Sequence, residues 1–239
     1  MNFRRFFEIG KGIVPVVLSC PHGGYKKPKM IPNTENGIQI PDRNTYLIGK
    51  AIVQALEAKG QKIYYILDKV HRCKVDLNRP PYFSVAFNRS SKKAHELHQF
   101  YHKKIVKLTQ ESVARFHRCL FIDFHGFTKP HKYYPDIIFG NIFGNTLTIC
   151  NKPSDPDYKV CWGFTEIKRE LSRHFSLDDG LGISDFNLPY SGGYITHQFY
   201  RKPQINAFQL EIAKYIRKDQ QLTVKFVNSI VSGILKSIE

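Results

Sequence analysis

The chain has 239 residues, of which 42% are hydrophobic and 23% are charged. This balance is that of a globular protein, and it excludes disordered and collagen-like chains. Lys and Arg outnumber Asp and Glu by 36 to 20, so the formal net charge is +16. No apolar run approaches the roughly 20 residues that cross a bilayer, so we expect no membrane-spanning segment.

Short apolar segments alternate with helical patterns along the chain. The apolar segments predict strands over Val14–Ser19, Lys62–Leu67, Cys119–Phe124, Ile137–Phe139, Thr146–Ile149 and Ala207–Ile212. Apolar residues at helical spacing predict helices over Asn44–Lys59, Ser90–Phe116, Phe164–Phe175 and Leu222–Ile238. This alternation predicts an α/β fold, with one domain over residues 1–239 in three α/β/α layers around a central mixed, mostly parallel sheet.

The N-terminal segment Met1–Cys20 has two arginines before an apolar stretch, as secretory signals do. Charged residues and a proline interrupt the stretch, and no cleavage site of small residues follows it. We therefore expect Val14–Ser19 to be a buried strand of a cytoplasmic protein. The five cysteines have scattered spacings and no CxxC pair, which predicts free thiols rather than a disulfide framework or a zinc knuckle.

The positive charge is dispersed along the chain and not gathered in a tail. It fits either a solvated surface or the attraction of anionic substrates. Because no motif of interleaved aromatic and basic residues accompanies the lysines, we expect no nucleic-acid partner.

Polar residues stand at the carboxyl ends of three predicted strands. His22 follows the first strand within Pro-His-Gly-Gly, His125 follows Cys119–Phe124, and Glu211 lies near the end of the last strand. Sites in such sheets form beyond these ends. Two imidazoles that meet there form a transition-metal site, with zinc as the first choice. The competing interpretation is that each histidine is structural.

The segment Val75–Pro80 contains Asp76, Asn78 and Arg79 in a polar turn. An arginine can hold a carboxylate through two parallel hydrogen bonds, and Asp76 can fix either that arginine or a ligand. A turn with a surface ion pair explains the same residues.

The segments that contain His22, Asp76 and His125 are followed by Ser191–Thr196 and Gln209–Ile212. This order is the one seen in N-formylglutamate amidohydrolases, and the chain resembles that family over about residues 14–215. That family looks like a distant relative of the zinc carboxypeptidases. The resemblance implies a phosphorylase/hydrolase-like fold and a zinc-dependent hydrolase of amide C–N bonds. Its substrate would be an N-acyl amino acid such as N-formylglutamate, or a short peptide.

The resemblance implies that His22 and His125 are zinc ligands. Carboxypeptidases have a glutamate three residues after the first histidine, where this chain has Tyr25. We therefore predict Asp42 as the third ligand, with Glu35 as a weaker candidate. The competing interpretation of Asp42 is an N-cap of the helix that begins near Asn44.

The resemblance also implies roles for the other site residues. Glu211 would be the general base and then the acid for the leaving amine. Arg72 or Arg79 would help zinc to stabilise the oxyanion, and Arg79, supported by Asn78, would bind the substrate carboxylate. Gly193 and Tyr194 would belong to a mobile loop over the substrate. An ordinary β-turn explains the same glycine.

Three histidines, His95, His98 and His102, lie at offsets of three and four within one predicted helix. Such spacing can bind metal, but no glutamate completes an HExxH pattern. We therefore expect these histidines on the helix surface.

Two other functions remain open from the sequence. The first is a zinc carboxypeptidase or cell-wall amidase on the same scaffold. The second is a non-catalytic basic protein that binds nucleic acid.

Overall fold

The computed structural model describes residues 3–151, 160–182 and 190–239. Within these ranges, seven strands form one sheet. They are β1 Phe7–Gly10, β2 Val16–Cys20, β3 Tyr64–Asp68, β4 Cys119–Phe127, β5 Ile137–Gly140, β6 Leu177–Asp178 and β7 Ile205–Ala213. Their order in the sheet is β1-β3-β2-β4-β7-β5-β6.

The centre of the sheet is parallel and its margins are not. β3, β2, β4 and β7 run in one direction. β1 joins β3 antiparallel, β5 joins β7 antiparallel, and β6 lies parallel to β5. The predicted mixed, mostly parallel sheet is therefore confirmed.

Helices cover both faces of the sheet. In the described part of the chain they are α1 Thr45–Glu57, α2 Lys92–Phe116, α3 Phe164–Ser172, α4 Tyr194–His197, α5 Lys214–Lys218 and α6 Gln220–Ile238, and a short 3-10 helix precedes β1. Strand residues alternate between the faces. Leu18 and Ile122 pack in the core beneath α1, α3 and α6, whereas Val17 and Phe121 pack beneath α2. The three-layer prediction is thus confirmed.

The four predicted helices correspond to α1, α2, α3 and α6, with ends displaced by up to three residues. Side chains cap two of them. Ser91 accepts a hydrogen bond from the Ala94 N–H at the start of α2, and Asp219 accepts one from the Leu222 N–H at the start of α6. No helix among the described residues is both long and apolar enough to span a bilayer.

The predicted strand Thr146–Ile149 is wrong, because this segment makes only an isolated bridge between Leu147 and Asn206. The side chain of Asn206 replaces the missing ladder. It accepts from the Ile149 N–H at 2.8 Å and donates to the Ile149 carbonyl at 3.0 Å. The apolar pattern of a strand is present, but the side-chain amide takes the backbone partners that a strand would need.

The prediction of free thiols is wrong for Cys150 and Cys161, which form a disulfide. Cys150 ends the irregular segment after β5, and Cys161 stands just before α3, so the fold brings their Cα atoms to 4.0 Å. Sequence spacing cannot reveal such an approach. Cys20, Cys73 and Cys119 are free and buried, as expected.

Candidate active site

The carboxyl ends of β2, β4 and β7 border a cavity of about 680 Å³. His125 of β4 lies directly beside Glu211 of β7 in the sheet register. Side chains paired across parallel strands point to the same face, so these two enter the cavity together. His22, two residues past the end of β2, lines the same cavity.

Three buried side chains converge in this cavity: His22, Asp42 and His125. The Nδ1 atom of each imidazole lies 3.5 Å from Oδ2 of Asp42. Potential ligand atoms of the three residues all lie within 4.8 Å of one another. Two imidazoles and one carboxylate form a donor set that zinc accepts in catalytic sites.

A second carboxylate lies behind each imidazole. Nε2 of His22 is 2.8 Å from Oδ1 of Asp76, and Nε2 of His125 is 2.9 Å from Oδ2 of Asp123. An ionised carboxylate only accepts, so the ring Nε2–H donates in both cases. Metal-binding histidines are oriented by carboxylates in this way.

The centre of the triad fits a cation. With both Nε2–H groups donating to aspartates, the two Nδ1 atoms face Oδ2 of Asp42. Nδ1 of His22 is buried and has no hydrogen-bond partner among the described residues. Zinc–ligand distances of about 2.0–2.2 Å place tetrahedral ligands about 3.4 Å apart, close to the 3.5 Å separations observed here.

The pKa values of Asp42 and His125 are shifted in opposite directions. Burial raises the pKa of Asp42, but the adjacent imidazoles of His125 and His22 outweigh this effect and hold that pKa well below its usual range. Burial lowers the pKa of His125, but the adjacent Asp123 carboxylate raises it to about 10. His125 therefore carries an extra proton near pH 7. A metal ion that binds the ring would displace this proton, because metal binding releases ligand protons.

Arg72 links the carboxylates of the site. Its Nε and Nη2 atoms donate to Oδ2 of Asp76 at 2.9 and 2.8 Å, and its Nη1 lies 3.4 Å from Oδ1 of Asp42. Together with His22, it holds the pKa of Asp76 well below the usual range against the effect of burial. Most of the guanidinium is thus engaged with the aspartates that contact the histidines.

Asp42 does not cap a helix. The N-cap of α1 is Asn44, which makes no side-chain capping bond, whereas Oδ2 of Asp42 accepts from the Gly126 N–H at 3.1 Å. The N-cap interpretation is therefore wrong. The weaker candidate, Glu35, is exposed and accepts a hydrogen bond from Asn88.

Glu211 is buried at the edge of the same cavity. Its Oε1 accepts from Nε2 of Gln209 at 2.7 Å, and its Oε2 is buried with no hydrogen-bond partner in the part of the chain that the structure describes. Burial raises the pKa of Glu211, against the attraction of protonated His125. A carboxyl group with a raised pKa and an unused oxygen is suited to proton transfer near neutral pH.

Gln209 also holds together one wall of the cavity. Its Oε1 accepts from the Gly193 N–H at 2.6 Å and from Nδ2 of Asn78 at 3.3 Å. Oδ1 of Asn78 accepts from the Ile195 N–H at 2.9 Å. The amide of Asn78 is therefore used to join two loops.

Arg79 and Gly193 line the cavity beside Asn78, as does Gly192. Tyr194, the first residue of α4, lines a neighbouring groove of about 660 Å³ that shares these wall residues. In the described part of the chain, Arg79 contacts no acidic side chain and donates only to the carbonyl of Asn78, at 3.4 Å.

Basic side chains surround the cavity: Arg43, Arg72, Arg79, Lys214, Arg217 and Lys218. Within the described residues, its acidic lining consists of Asp42 and Glu211. This surplus of positive charge favours an anionic ligand.

Asp123 and Gln209 were not predicted from the sequence to belong to the site. Each stands two positions before a predicted site residue on the same strand, Asp123 before His125 and Gln209 before Glu211. Residues two apart on a strand share a face, so this spacing is a signal that identifies both. Arg43 and Lys214 carried no such signal.

The histidines of α2 are not all on its surface. His95 is exposed, as predicted, but His98 is 2% exposed and His102 is partly buried. The surface prediction is wrong for these two, because α2 packs against the segment that contains Asn78 and Arg79.

Comparisons with known proteins identify the family and the fold. A model of the N-formylglutamate amidohydrolase family matches residues 84–216, which is more than half of the chain. An N-formylglutamate amidohydrolase from Ralstonia eutropha has a similar structure, with a TM-score of 0.65, 15% identity and 96% of each chain covered. A gene product of Agrobacterium tumefaciens is similar with a TM-score of 0.67, 14% identity and full coverage of both chains. At these identities the two structures show a shared fold. No protein of curated function matches the chain.

Proposed function

Because this chain belongs to the N-formylglutamate amidohydrolase family, whose members hydrolyse amide C–N bonds, we propose that it is a zinc-dependent amidohydrolase of N-acyl amino acids such as N-formylglutamate. The observation that carries the proposal is the convergence of His22, Asp42 and His125 on one point beside the buried Glu211.

His22, Asp42 and His125 would hold the zinc ion, which supplies a Lewis acid for the scissile carbonyl and lowers the pKa of water. Glu211 would accept a proton from the attacking water molecule at its unpartnered Oε2. It would then donate that proton to the leaving nitrogen as the C–N bond breaks. The products are a carboxylic acid, formate for a formyl group, and the free amino acid.

Arg79 would bind the substrate carboxylate. This role is supported by its place in the cavity wall and by the lack of an acidic partner within the described residues. Arg72 lines the same cavity, but its contacts with Asp76 and Asp42 favour a role in holding these carboxylates. These contacts leave Arg72 less free to stabilise the oxyanion.

A short peptide is the second candidate substrate. The groove beyond Arg79 and Gly193 is nearly as large as the cavity, about 660 against 680 Å³. A formylated amino acid is much smaller than the ligands that fill sites of this size.

The test is an assay of the zinc-loaded protein with N-formyl and N-acetyl amino acids, in which release of the free amino acid is measured. Glu211→Gln keeps the size of the side chain but removes the base. We expect it to lower kcat by roughly 10²–10⁴-fold with unchanged zinc content. Wild-type activity in this variant would refute the role of Glu211, and no hydrolysis by the zinc-loaded wild type would refute the proposed function.

A further inference from the structure

Two histidines of α2 hold the segment that contains Asn78 and Arg79. Nε2 of His98 is 2.9 Å from the carbonyl oxygen of Arg79, and Nε2 of His102 is 3.0 Å from that of Leu77. A carbonyl only accepts, so both rings donate from Nε2. These two carbonyls lie on either side of Asn78, so the backbone is fixed on both sides of the residue.

The same histidines reach the opposite wall. Nδ1 of His102 accepts a hydrogen bond from Nε2 of Gln198, at the end of α4, at 2.9 Å. The ring of Tyr194 lies beside both imidazoles, with centroid distances of 6.2 Å to His98 and 5.1 Å to His102. The two imidazoles themselves are 4.4 Å apart.

We propose that His98 and His102 are positioning residues that join the Leu77–Arg79 segment to the Gly193–Gln198 segment, and so set the place of Arg79 for the substrate carboxylate. This inference rests on the proposed role of Arg79. The observation that carries it is a pair of adjacent imidazoles that contact both walls of one pocket.

The protonation state of the pair suits this role. Burial lowers the pKa of His98 to about 4, and burial together with the neighbouring His98 lowers that of His102 to about 3. Other groups that influence His98 are Asp76 and the exposed His95. Both rings are therefore neutral near pH 7, and a neutral ring of His102 can donate to Leu77 and accept from Gln198 at once.

The experiment compares variants that remove the ring donors with variants that keep them. His98→Leu and His102→Leu remove the donor to the loop. His98→Gln and His102→Gln retain an N–H group near the position of Nε2. His95→Leu is the matched control, because His95 lies on the same helix, is exposed and bonds only with Gln99 among its described contacts.

For the leucine variants we expect KM for N-formylglutamate to rise about tenfold, the effect of a lost hydrogen bond to a binding wall, with kcat changed by less than about threefold. The glutamine variants should recover most of the wild-type KM. His95→Leu should match the wild type, and zinc content should be unchanged throughout. Gln198→Leu breaks the same link without altering a buried histidine, so it tests the proposal even where a leucine variant does not fold.

Wild-type KM in the leucine variants and in Gln198→Leu would overturn the inference. So would glutamine variants that are no better than leucine variants, because the rings would then act by packing alone. If the zinc-loaded wild type binds N-formylglutamate without hydrolysing it, the proposed function fails, and the inference is decided by the dissociation constants of the same variants in calorimetry. Absence of binding to the wild type overturns both.

Discussion

The two nitrogens of His125 have different partners, and this difference determines what the ring can bind. Nε2 donates to Asp123, whose other oxygen accepts from the Ser19 hydroxyl at 2.8 Å. That hydroxyl lies 2.7 Å from the hydroxyl of Tyr101, which is fully buried beneath the sheet. The chain of hydrogen bonds orients the ring from the core outward and leaves Nδ1 directed at Asp42.

Replacement of Asp123 tests this orientation at the scale of one residue. Asp123→Asn keeps the shape but removes the charge that fixes the Nε2–H tautomer. We expect the affinity for zinc to fall by about 10–100-fold, the usual effect of losing such a carboxylate. The measurement is zinc competition with a chelator, with Asp179→Asn as the control because Asp179 pairs with Lys168 away from the cavity. Equal zinc affinity in both variants would show that Asp123 does not orient the ligand.

At the scale of elements, the structure gives a reason for Gly193, which the family resemblance placed in a mobile loop. Gly193 has an ordinary negative φ of −96°, so its conformation does not need glycine. A Cβ atom at this position would lie 2.1 Å from Nδ2 of Asn78. Gly193 is therefore required by the close approach of two walls, which the Gln209 side chain holds together.

Gly193→Ala should displace Asn78 and with it the backbone of Arg79. We expect KM for an anionic N-acyl amino acid to rise by about tenfold or more, because small displacements of positioning groups are costly. Zinc content should stay unchanged. Gly182→Ala is the control, since no atom of the described residues lies within 4 Å of a Cβ atom there. A KM equal to that of the control would contradict this explanation.

Elements differ in how far the sequence predicts them. The long helices and the central strands follow from periodicity, because their faces pack against a continuous core. β1 and β6, of four and two residues, are too short to produce a pattern. Thr146–Ile149 has a strand pattern, but the Asn206 side chain bonds its backbone instead. The pairing of Cys150 with Cys161 is a property of the tertiary fold.

At the scale of the whole molecule, the folded chain holds histidines in opposite states. Burial keeps His98 and His102 neutral, whereas Asp123 keeps His125 protonated despite burial. The ordinary pKa of histidine is about 6.5. His98 and His102 therefore take up protons on unfolding below that pH, and acid favours the unfolded chain.

The sign of this effect gives a stability prediction. The contribution of His98 and His102 is fully present above about pH 6.5 and is lost as the pH falls toward their folded pKa values of about 4 and 3. We expect the free energy of unfolding to decrease between pH 7 and pH 4 by on the order of 3 kcal/mol from each of these two groups. Urea denaturation of the double variant His98→Gln/His102→Gln should give a flatter dependence on pH than His95→Gln. Equal slopes would contradict the prediction.

The candidate site shows what order along the chain can and cannot predict. His22, His125 and Glu211 were predicted because strand ends meet at one edge of a parallel sheet, whereas Asp42 was predicted only from the family resemblance. Their contacts could not be predicted, because Asp42 lies on a long loop and no sequence periodicity specifies the path of that loop to His22 and His125. The role of His98 and His102 was hidden for the same reason, since only the fold shows that the Leu77–Arg79 segment crosses α2.

Metal content tests the account most directly. Protein purified, incubated with zinc and dialysed should contain about one zinc ion per chain by elemental analysis. His22→Ala and His125→Ala should each lose most of it, while His174→Ala, outside the cavity lining, should retain it. Wild-type protein without bound zinc, or His22→Ala and His125→Ala variants that bind zinc as the wild type does, would contradict the account.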